Sequence, residues 1–340
     1  MSHPIRVVVV GLGATGIALA EWITSRNDLQ LVGAVDTSAD KAGKLLGDLV
    51  GGAPQIVVAS ALDDLLEADV AVLATSSWVD TVEPTITALV ERSLNVVSIC
   101  EELRDPTRTH PEAVARLDDL ARNRGVSVLG TGCNPGMLMD TLPLLLSGLT
   151  LGVRSVHVER TADMSRYGAI LNKFGLGLSP EEFEERRDAG TVMGHVGFAQ
   201  SITALARGLG WDLDRIEIDP VTPAALAATE GRLEQMVISP GAVSVVRHQA
   251  RGVLGGDVVI ELVANFGLLD YSEGWSAADA LRIEGVEQTI SVTAPSGYES
   301  FLSTVAMAGN ALAAVVEATP GFVTLSDLPV ASLAGRGCAR

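Results

Sequence analysis

The sequence predicts an α/β protein in two parts, a doubly wound parallel sheet at the N-terminus followed by an α+β part whose sheet is mainly antiparallel. Three observations predict it. From residue 5 to about 133, short apolar runs alternate with longer amphipathic ones, the rhythm of βαβ units. Beyond Gly136, runs such as RSVHVERTA, GAVSVVRHQARGV, DVVIELVANFG and LRIEGVEQTISVTA alternate with period two and lie nearly adjacent, the pattern of an antiparallel sheet with one covered face. A chain of 340 residues also exceeds what one hydrophobic core usually organises. The boundaries expected are 1–133 for the parallel part, 134–297 for the α+β part, and 298–340 for a C-terminal helix and tail packing back on the first domain.

The first element is the β-branched run IRVVVV, which ends in Gly11-x-Gly13-x-x-Gly16 and passes into the helical pattern IALAEWITSR. A glycine triplet at a strand-to-helix junction has a mechanical reading. Gly11 permits the tight turn, Gly13 lets a pyrophosphate approach the backbone, and Gly16 lets the helix pack close to the strand. The backbone of Gly11, Leu12, Gly13, Ala14, Thr15 and Gly16 then meets phosphate at a positive helix end, as in a Rossmann-type dinucleotide domain. The second strand, LVGAV, ends in Asp36, which is placed to accept hydrogen bonds from ribose hydroxyls and to repel a 2′-phosphate. NAD is therefore the expected cofactor, with Lys41 and Lys44 close enough in sequence to keep NADP open.

Further strands are expected over 55–58, 70–74, 95–99 and 126–130, after the first two at 5–10 and 30–35. Helices fall between them. In PEAVARLDDLARNRG, Pro111 suits a first helical position and Gly125 a stop. Ligands in such sheets bind beyond the carboxyl ends of the strands. That rule singles out Thr75-Ser76-Ser77, then Cys100-Glu101-Glu102, then the glycine-rich run from Gly130 to Gly136. Residue order alone leaves Thr75, Ser76 and Ser77 equally open to lining the ribose side of the cofactor and to a plain strand-ending turn.

In the second part, Ser179-Pro180-Glu181-Glu182 reads as a capping box opening a helix. Another helix is expected from about Gly194 to Leu209, with Val196, Ile202 and Leu205 in its apolar stripe. The last, from Tyr298 to about Ala318, is rich in alanine and valine and poor in charge, so it must be buried on most sides. Pro320 and Gly321 end it, and a loose tail is expected from about Ala331.

Composition removes several function classes. A net charge of −18 with no offsetting basic stripe opposes nucleic acid. No apolar stretch reaches the roughly 18 residues needed to cross a bilayer, and MSHPIRV enters a strand with no leader, so no membrane partner is expected. Cys100, Cys133 and Cys338 form no CxxC pair, which suits reduced thiols and a cytoplasmic location. The histidines at 3, 110, 157, 195 and 248 lack ligand spacing, so no metal is expected. Of the lysines at 41, 44 and 173, only Lys173 would be left for Schiff-base chemistry, and its neighbours Asn172 and Phe174 do not support that role.

Read together, ATSS, CEEL and GTGCNPGMLMDTLP, with VVVVGLGATG, LVGAVD, SPEEFEE, HVGFAQSI and PGFVTLSDLP, resemble the 2,4-diaminopentanoate dehydrogenase and native amine dehydrogenase family over nearly the full chain. The resemblance extends to the architecture of dihydrodipicolinate reductase, whose DAPSGT-like catalytic segment is absent here. It implies an N-terminal nicotinamide-cofactor domain and a C-terminal catalytic domain. The implied reaction is reversible oxidative deamination of a primary amine or diamino acid to a ketone or aldehyde and ammonia.

Such chemistry asks for negative charge near an iminium or ammonium and for a proton shuttle. Glu101 and Glu102 meet both needs. Adjacent glutamates point different ways, so one is expected in the site and the other in a structural or solvent-facing role, the alternative being that both are helix-opening carboxylates. The resemblance also points to Asn134 and Pro135 as a loop facing the nicotinamide, with Asn134 near substrate, and to Tyr167 and His195 as substrate-pocket residues. Arg160 and Arg166 flank that region and could pair with a substrate carboxylate. Rival readings are another imine or carbonyl reductase of the same architecture and a non-catalytic NAD-binding sensor. A homodimer is expected, because a sheet covered on one face offers the other to a partner.

Overall fold

The computed structural model describes residues 3–64, 67–234 and 236–329. In chain order the elements are β1 (Ile5–Val10), α1 (Ala14–Thr24), β2 (Leu29–Val35), α2 (Leu46–Leu49), β3 (Val70–Leu73), α3 (Val79–Glu91), β4 (Asn95–Ser98), α4 (Pro111–Arg124), β5 (Ser127–Gly130) and α5 (Leu142–Ser147). They continue with β6 (Val153–Asp163), α6 (Pro180–Asp188), α7 (Phe198–Leu209), β7 (Arg215–Ile218), β8 (Thr222–Leu226), β9 (Gly231–Arg232) and β10 (Val237–Ile238). The last are β11 (Val243–Leu254), β12 (Asp257–Gly267), β13 (Ala278–Gly285), β14 (Thr289–Ala294), α8 (Ser300–Val316) and β15 (Gly321–Val323). The chain divides into two compact units, one of 1–141 with 301–340 and the other Leu142–Ser300.

The first unit is a parallel sheet in the order β15-β5-β4-β3-β1-β2. Its strands are apolar on both faces because helices cover both. On one face Val7, Val9, Val72 and Leu129 pack with Leu19 and Ile23 of α1 and with Val305, Leu312 and Val315 of α8. On the other, Val8, Val10, Leu73 and Val128 pack with Ile86 and Leu89 of α3 and Leu117 of α4. α8 approaches closely because Gly309 lies against the Trp22 ring, where a Cβ would come within 2.5 Å. α4 has Pro111 in its first turn and ends at Gly125 in the left-handed region, φ 71°.

The sixth strand is not the expected 55–58. That segment bonds locally instead, Val58 N–H to Lys44 O and Leu46 N–H to Ile56 O, and its backbone meets the sheet at an isolated bridge between Val35 and Ala59. β15, from the far end of the chain, takes the place beside β5. Cys100-Glu101-Glu102 consequently follows the fourth strand rather than a fifth, and Thr75-Ser76-Ser77 the third. The first unit also runs eight residues past the expected boundary at 133, through the kinked turn Cys133–Thr141.

The second unit is a seven-stranded sheet in the order β14-β13-β6-β12-β11-β7, with β8 also pairing β11. It is mainly antiparallel, but β6 and β12 run parallel. α7 covers one face, with Ile202 against Gly252 of β11. It starts at Phe198 rather than near Gly194, because Gly197 is left-handed, φ 101°, and Gly194 is pressed against the His248 ring. The capping box at Ser179 and Glu182 is present. The tail from Ala331, with Cys338, lies outside the described residues.

Candidate active site

At the carboxyl ends of the parallel strands, chain order reverses between β1 and β3, the position where open α/β sheets hold ligands. The glycine turn sits there. A Cβ on Gly16 would lie 1.8 Å from the Gly11 carbonyl oxygen, so only glycine lets α1 come this near β1. Gly11 itself has φ 90° and stands against the Ala74 carbonyl and Thr75 at the end of β3. Around Gly13 the space is open: a Cβ there meets nothing within 4 Å. No side chain caps α1 and its first turn, Ala14 and Thr15 included, holds no acidic residue, so the donors at this end are left for an anion. These features fit a dinucleotide pyrophosphate.

Asp36 follows β2. Its Oδ1 accepts from the Ser38 N–H at 2.8 Å, while Oδ2 accepts from the Leu12 N–H at 2.8 Å and from Lys41 Nζ at 3.2 Å. Burial raises the Asp36 pKa, but these three donors outweigh it and hold the group below the ordinary carboxylate range. Asp36 thus locks the glycine turn to the end of β2.

The structure separates the two glutamates. The Glu102 Oε2 accepts the Val79 N–H at 2.8 Å, capping α3, and lies 3.8 Å from His110 Nε2. Its own N–H donates to the Ser77 carbonyl at 3.2 Å. Glu101 points elsewhere, and its carboxylate accepts the Ser77 hydroxyl. Burial raises its pKa, with the Glu102 charge adding to the effect, and the hydroxyl and its own backbone N–H only partly oppose this. Ser76 Oγ accepts the Trp78 N–H at 3.3 Å, and Thr75 is exposed. Burial first, then the neighbouring carboxylates, push the Cys100 thiol up to about 12, so it is no nucleophile at neutral pH.

Behind Glu101, its 3₁₀ turn Glu101–Arg104 joins the Asn134 loop through a pair the sequence reading missed. Arg104 Nε donates to Asp140 Oδ1 at 2.9 Å and Arg104 Nη2 to Thr141 Oγ1 at 3.3 Å. Asp140 Oδ2 in turn accepts the Gly136 N–H at 2.9 Å, and the Thr141 hydroxyl donates to the Gly136 carbonyl. Gly136, φ 135°, sits where only glycine is at ease. Asn134 is half-buried on extended backbone, joined to buried Pro135 by a cis peptide bond. The Cys133 N–H donates to Thr304 Oγ1 of α8 at 3.2 Å. Asp140 within the apolar stretch MLMDTLP was the one visible signal for this network.

In the second unit, the Tyr167 hydroxyl reaches Glu299 at 3.5 Å. The His195 ring packs edge-on to Phe198 at 4.6 Å and 6.0 Å from Phe266, while the His195 backbone N–H donates to His248 Nδ1 at 2.9 Å. Burial, helped by His248 and Arg160, lowers its pKa to about 3, so the imidazole is neutral at neutral pH. Arg160 does not wait for a carboxylate: Nη2 donates to the Tyr298 carbonyl at 2.5 Å and to Ser300 Oγ at 2.8 Å, and Nε lies 3.6 Å from Asp279. Arg166 is exposed. Among the described residues no helix is long and apolar enough to cross a membrane.

Three comparisons bear on this geometry. A family model for the 2,4-diaminopentanoate dehydrogenase C-terminal domain matches residues 137–336. The 2,4-diaminopentanoate dehydrogenase of Acetoanaerobium sticklandii is 31% identical over 337 residues, 96% of this chain and 94% of that protein. Among solved structures, an amine dehydrogenase from Mycobacterium smegmatis superposes with a TM-score of 0.82 at 25% identity, covering 98% of each chain. A dihydrodipicolinate reductase from Paenisporosarcina sp. TG-14, at 14% identity and a TM-score of 0.53 over 95% of this chain and 98% of that one, shares the fold.

Proposed function

The chain belongs to the 2,4-diaminopentanoate dehydrogenase family, pyridine-nucleotide-dependent oxidoreductases acting on amines, and on that premise we propose that Glu101 is the carboxylate through which ammonia and protons pass. The reaction is oxidative deamination of a primary amine, or in reverse the reductive amination of a ketone or aldehyde. When bound, the nicotinamide nucleotide supplies the hydride transfer.

The observation that carries the assignment is the division of labour between the glutamates, with Glu102 consumed in capping α3 and Glu101 buried and held by the Ser77 hydroxyl, which can reorient, and by its own backbone N–H. As a carboxylate, Glu101 holds ammonium by charge-assisted hydrogen bonds. Its raised pKa brings it nearer neutrality, where the acid form returns a proton to a carbinolamine hydroxyl leaving as water. Ser77 orients the carboxylate. The backbone of Gly11 to Gly16 holds the pyrophosphate, and Thr75, Ser76, Asn134 and Pro135 line the remaining cofactor path along the strand ends.

NAD is the preferred nucleotide in this reading, because the one lone pair of Asp36 Oδ1 left by Ser38 suits a ribose hydroxyl. Tyr167 and the neutral His195 are the proposed substrate contacts of the second unit. The buried, unbridged thiols of Cys100 and Cys133 support a cytoplasmic home. The sheet face opposite α7, carrying His157, Glu159, Arg247 and Glu261, supports a homodimer.

The test mixes the protein with NADH, a panel of small ketones and ammonium, and follows loss of reduced-cofactor absorbance. Turnover that requires ammonium and is lost in Glu101→Gln but kept in Glu102→Gln supports the reading. Ammonium-independent turnover would instead mark a carbonyl reductase, and equal losses in both variants would remove the assignment of Glu101.

A further inference from the structure

We infer that Thr141 is a positioning residue for the reaction, its hydroxyl completing a two-armed brace from Arg104 that sets the Asn134–Gly136 turn against the turn carrying Glu101. This deepens, and rests on, the assignment of Glu101 and of the Asn134 loop made above. In that reading the carboxylate and the cofactor path serve one substrate carbon from two separate turns of chain. A displacement of about 1 Å between groups that must meet one carbon costs on the order of a hundredfold in rate. Something must therefore fix one turn to the other.

Both arms start at one guanidinium, that of Arg104, which ends the 3₁₀ turn opened by Glu101. In the first arm Nε donates to Asp140 Oδ1 at 2.9 Å, and Asp140 Oδ2 accepts the Gly136 N–H at 2.9 Å. In the second Nη2 donates to Thr141 Oγ1 at 3.3 Å, and that hydroxyl donates to the Gly136 carbonyl. The N–H and the carbonyl of a single glycine are thus both held through Arg104. Nη1 is buried without a hydrogen-bond partner among the described residues, so the bonds that orient the guanidinium are these two. Gly136 needs both arms, because at φ 135° it has a backbone freedom that other residues lack, and a peptide beside it swings easily unless it is held. Asp140 holds the peptide before it and Thr141 the peptide after it. Asp140 Oδ1 also lies 3.1 Å from the Thr141 hydroxyl, so the arms brace each other. Asp140 carries the charge that Arg104 requires, whereas Thr141 carries none. Substituting Thr141 leaves the buried ion pair whole, which separates geometry from stability.

The experiment follows a single turnover by stopped flow, mixing NADH and excess protein with ammonium and the fastest ketone of the panel, and reads NADH affinity separately by fluorescence titration. It compares the wild type with Thr141→Val, Thr141→Ser and Glu101→Gln, and Thr141→Ala takes the place of Thr141→Val should that variant not fold. Thr141→Val is expected to slow nucleotide oxidation about tenfold or more while NADH affinity stays within about threefold of the wild type. Thr141→Ser keeps the hydroxyl and is expected to stay within about threefold in both. A wild-type rate in Thr141→Val, an equal slowing in Thr141→Ser, or a loss of NADH affinity large enough to account for the slowing overturns the inference and leaves Glu101 in its role. A wild-type rate in Glu101→Gln removes that role and the inference with it.

Discussion

Arg104 and Asp140 form an ion pair of 2.9 Å with both side chains essentially out of solvent, and through it the turn carrying Glu101 is tied to the turn carrying Asn134 and Pro135. The tie is tight on the other side too, since a Cβ on Gly130 would lie 2.2 Å from the Leu103 carbonyl. Removing one member of a buried pair strands the other charge. Asp140→Asn is expected to cost about 3 to 5 kcal/mol of unfolding free energy. Urea denaturation checks this, and a loss under about 1 kcal/mol would mean that water or another anion compensates Arg104.

Glu101 links stability to pH. Because burial raises its pKa in the folded state, the native protein binds that proton more tightly than the unfolded chain. Its contribution to stability is full below the ordinary glutamate range and is lost as pH rises through the raised value. Glu101→Gln suffers no such loss. Its denaturation midpoint, compared with the wild type at each pH, is expected to improve on going from acid towards neutrality, while turnover falls roughly a hundred- to ten-thousand-fold. A difference between the two proteins that is flat in pH would show that the carboxylate is solvated.

For Glu102 the expected signature is the reverse. Glu102→Ala removes the acceptor of the Val79 N–H and is expected to lower stability by about 1 kcal/mol, the usual value of an N-terminal helix cap. Thermal unfolding checks it. A stability equal to the wild type, combined with a kcat loss as large as that of Glu101→Gln, would exchange the two roles.

Two glycines of the turn are expected to fail differently. Gly16→Ala forces a methyl group into the Gly11 carbonyl and is expected to prevent normal folding. Gly13→Ala meets no protein atom, and with φ −66° alanine is at ease there, so the melting temperature is expected to hold. The methyl occupies the space assigned to pyrophosphate, so nucleotide affinity is expected to drop about tenfold or more, the loss of roughly one good contact. Wild-type affinity in Gly13→Ala would place the phosphates elsewhere.

What could be read from residue order is what local spacing encodes. The junction from β1 to α1, the capping box at Ser179 and the stop at Gly125 each depend on neighbours within a few positions, and all are present. Partner choice was not legible. Residues 55–58 are as apolar as a strand, but their backbone groups bond to 43–46, and nothing local in GFV announces that Gly321 pairs with Ser127 at the start of β5 to finish the sheet. The parallel pairing of β6 with β12 is hidden for the same reason, since alternation reports a covered face and not a direction. Glu101 and Glu102 are equivalent in sequence, and their roles divide only where Ser77 and the start of α3 arrive from another strand end.

Because β15 and α8 complete the layer begun by β1, everything from Leu142 to Ser300 is in effect an insertion within the nucleotide-binding fold. A nascent chain emerging N-terminus first must carry that fold open, with Val7, Val9 and Leu129 short of part of their cover, until α8 and β15 have left the ribosome. Assembly of the nucleotide-binding unit is thereby deferred until the whole inserted unit has been made, and a chain cut before Ser300 would expose an oily flank and an unpaired edge.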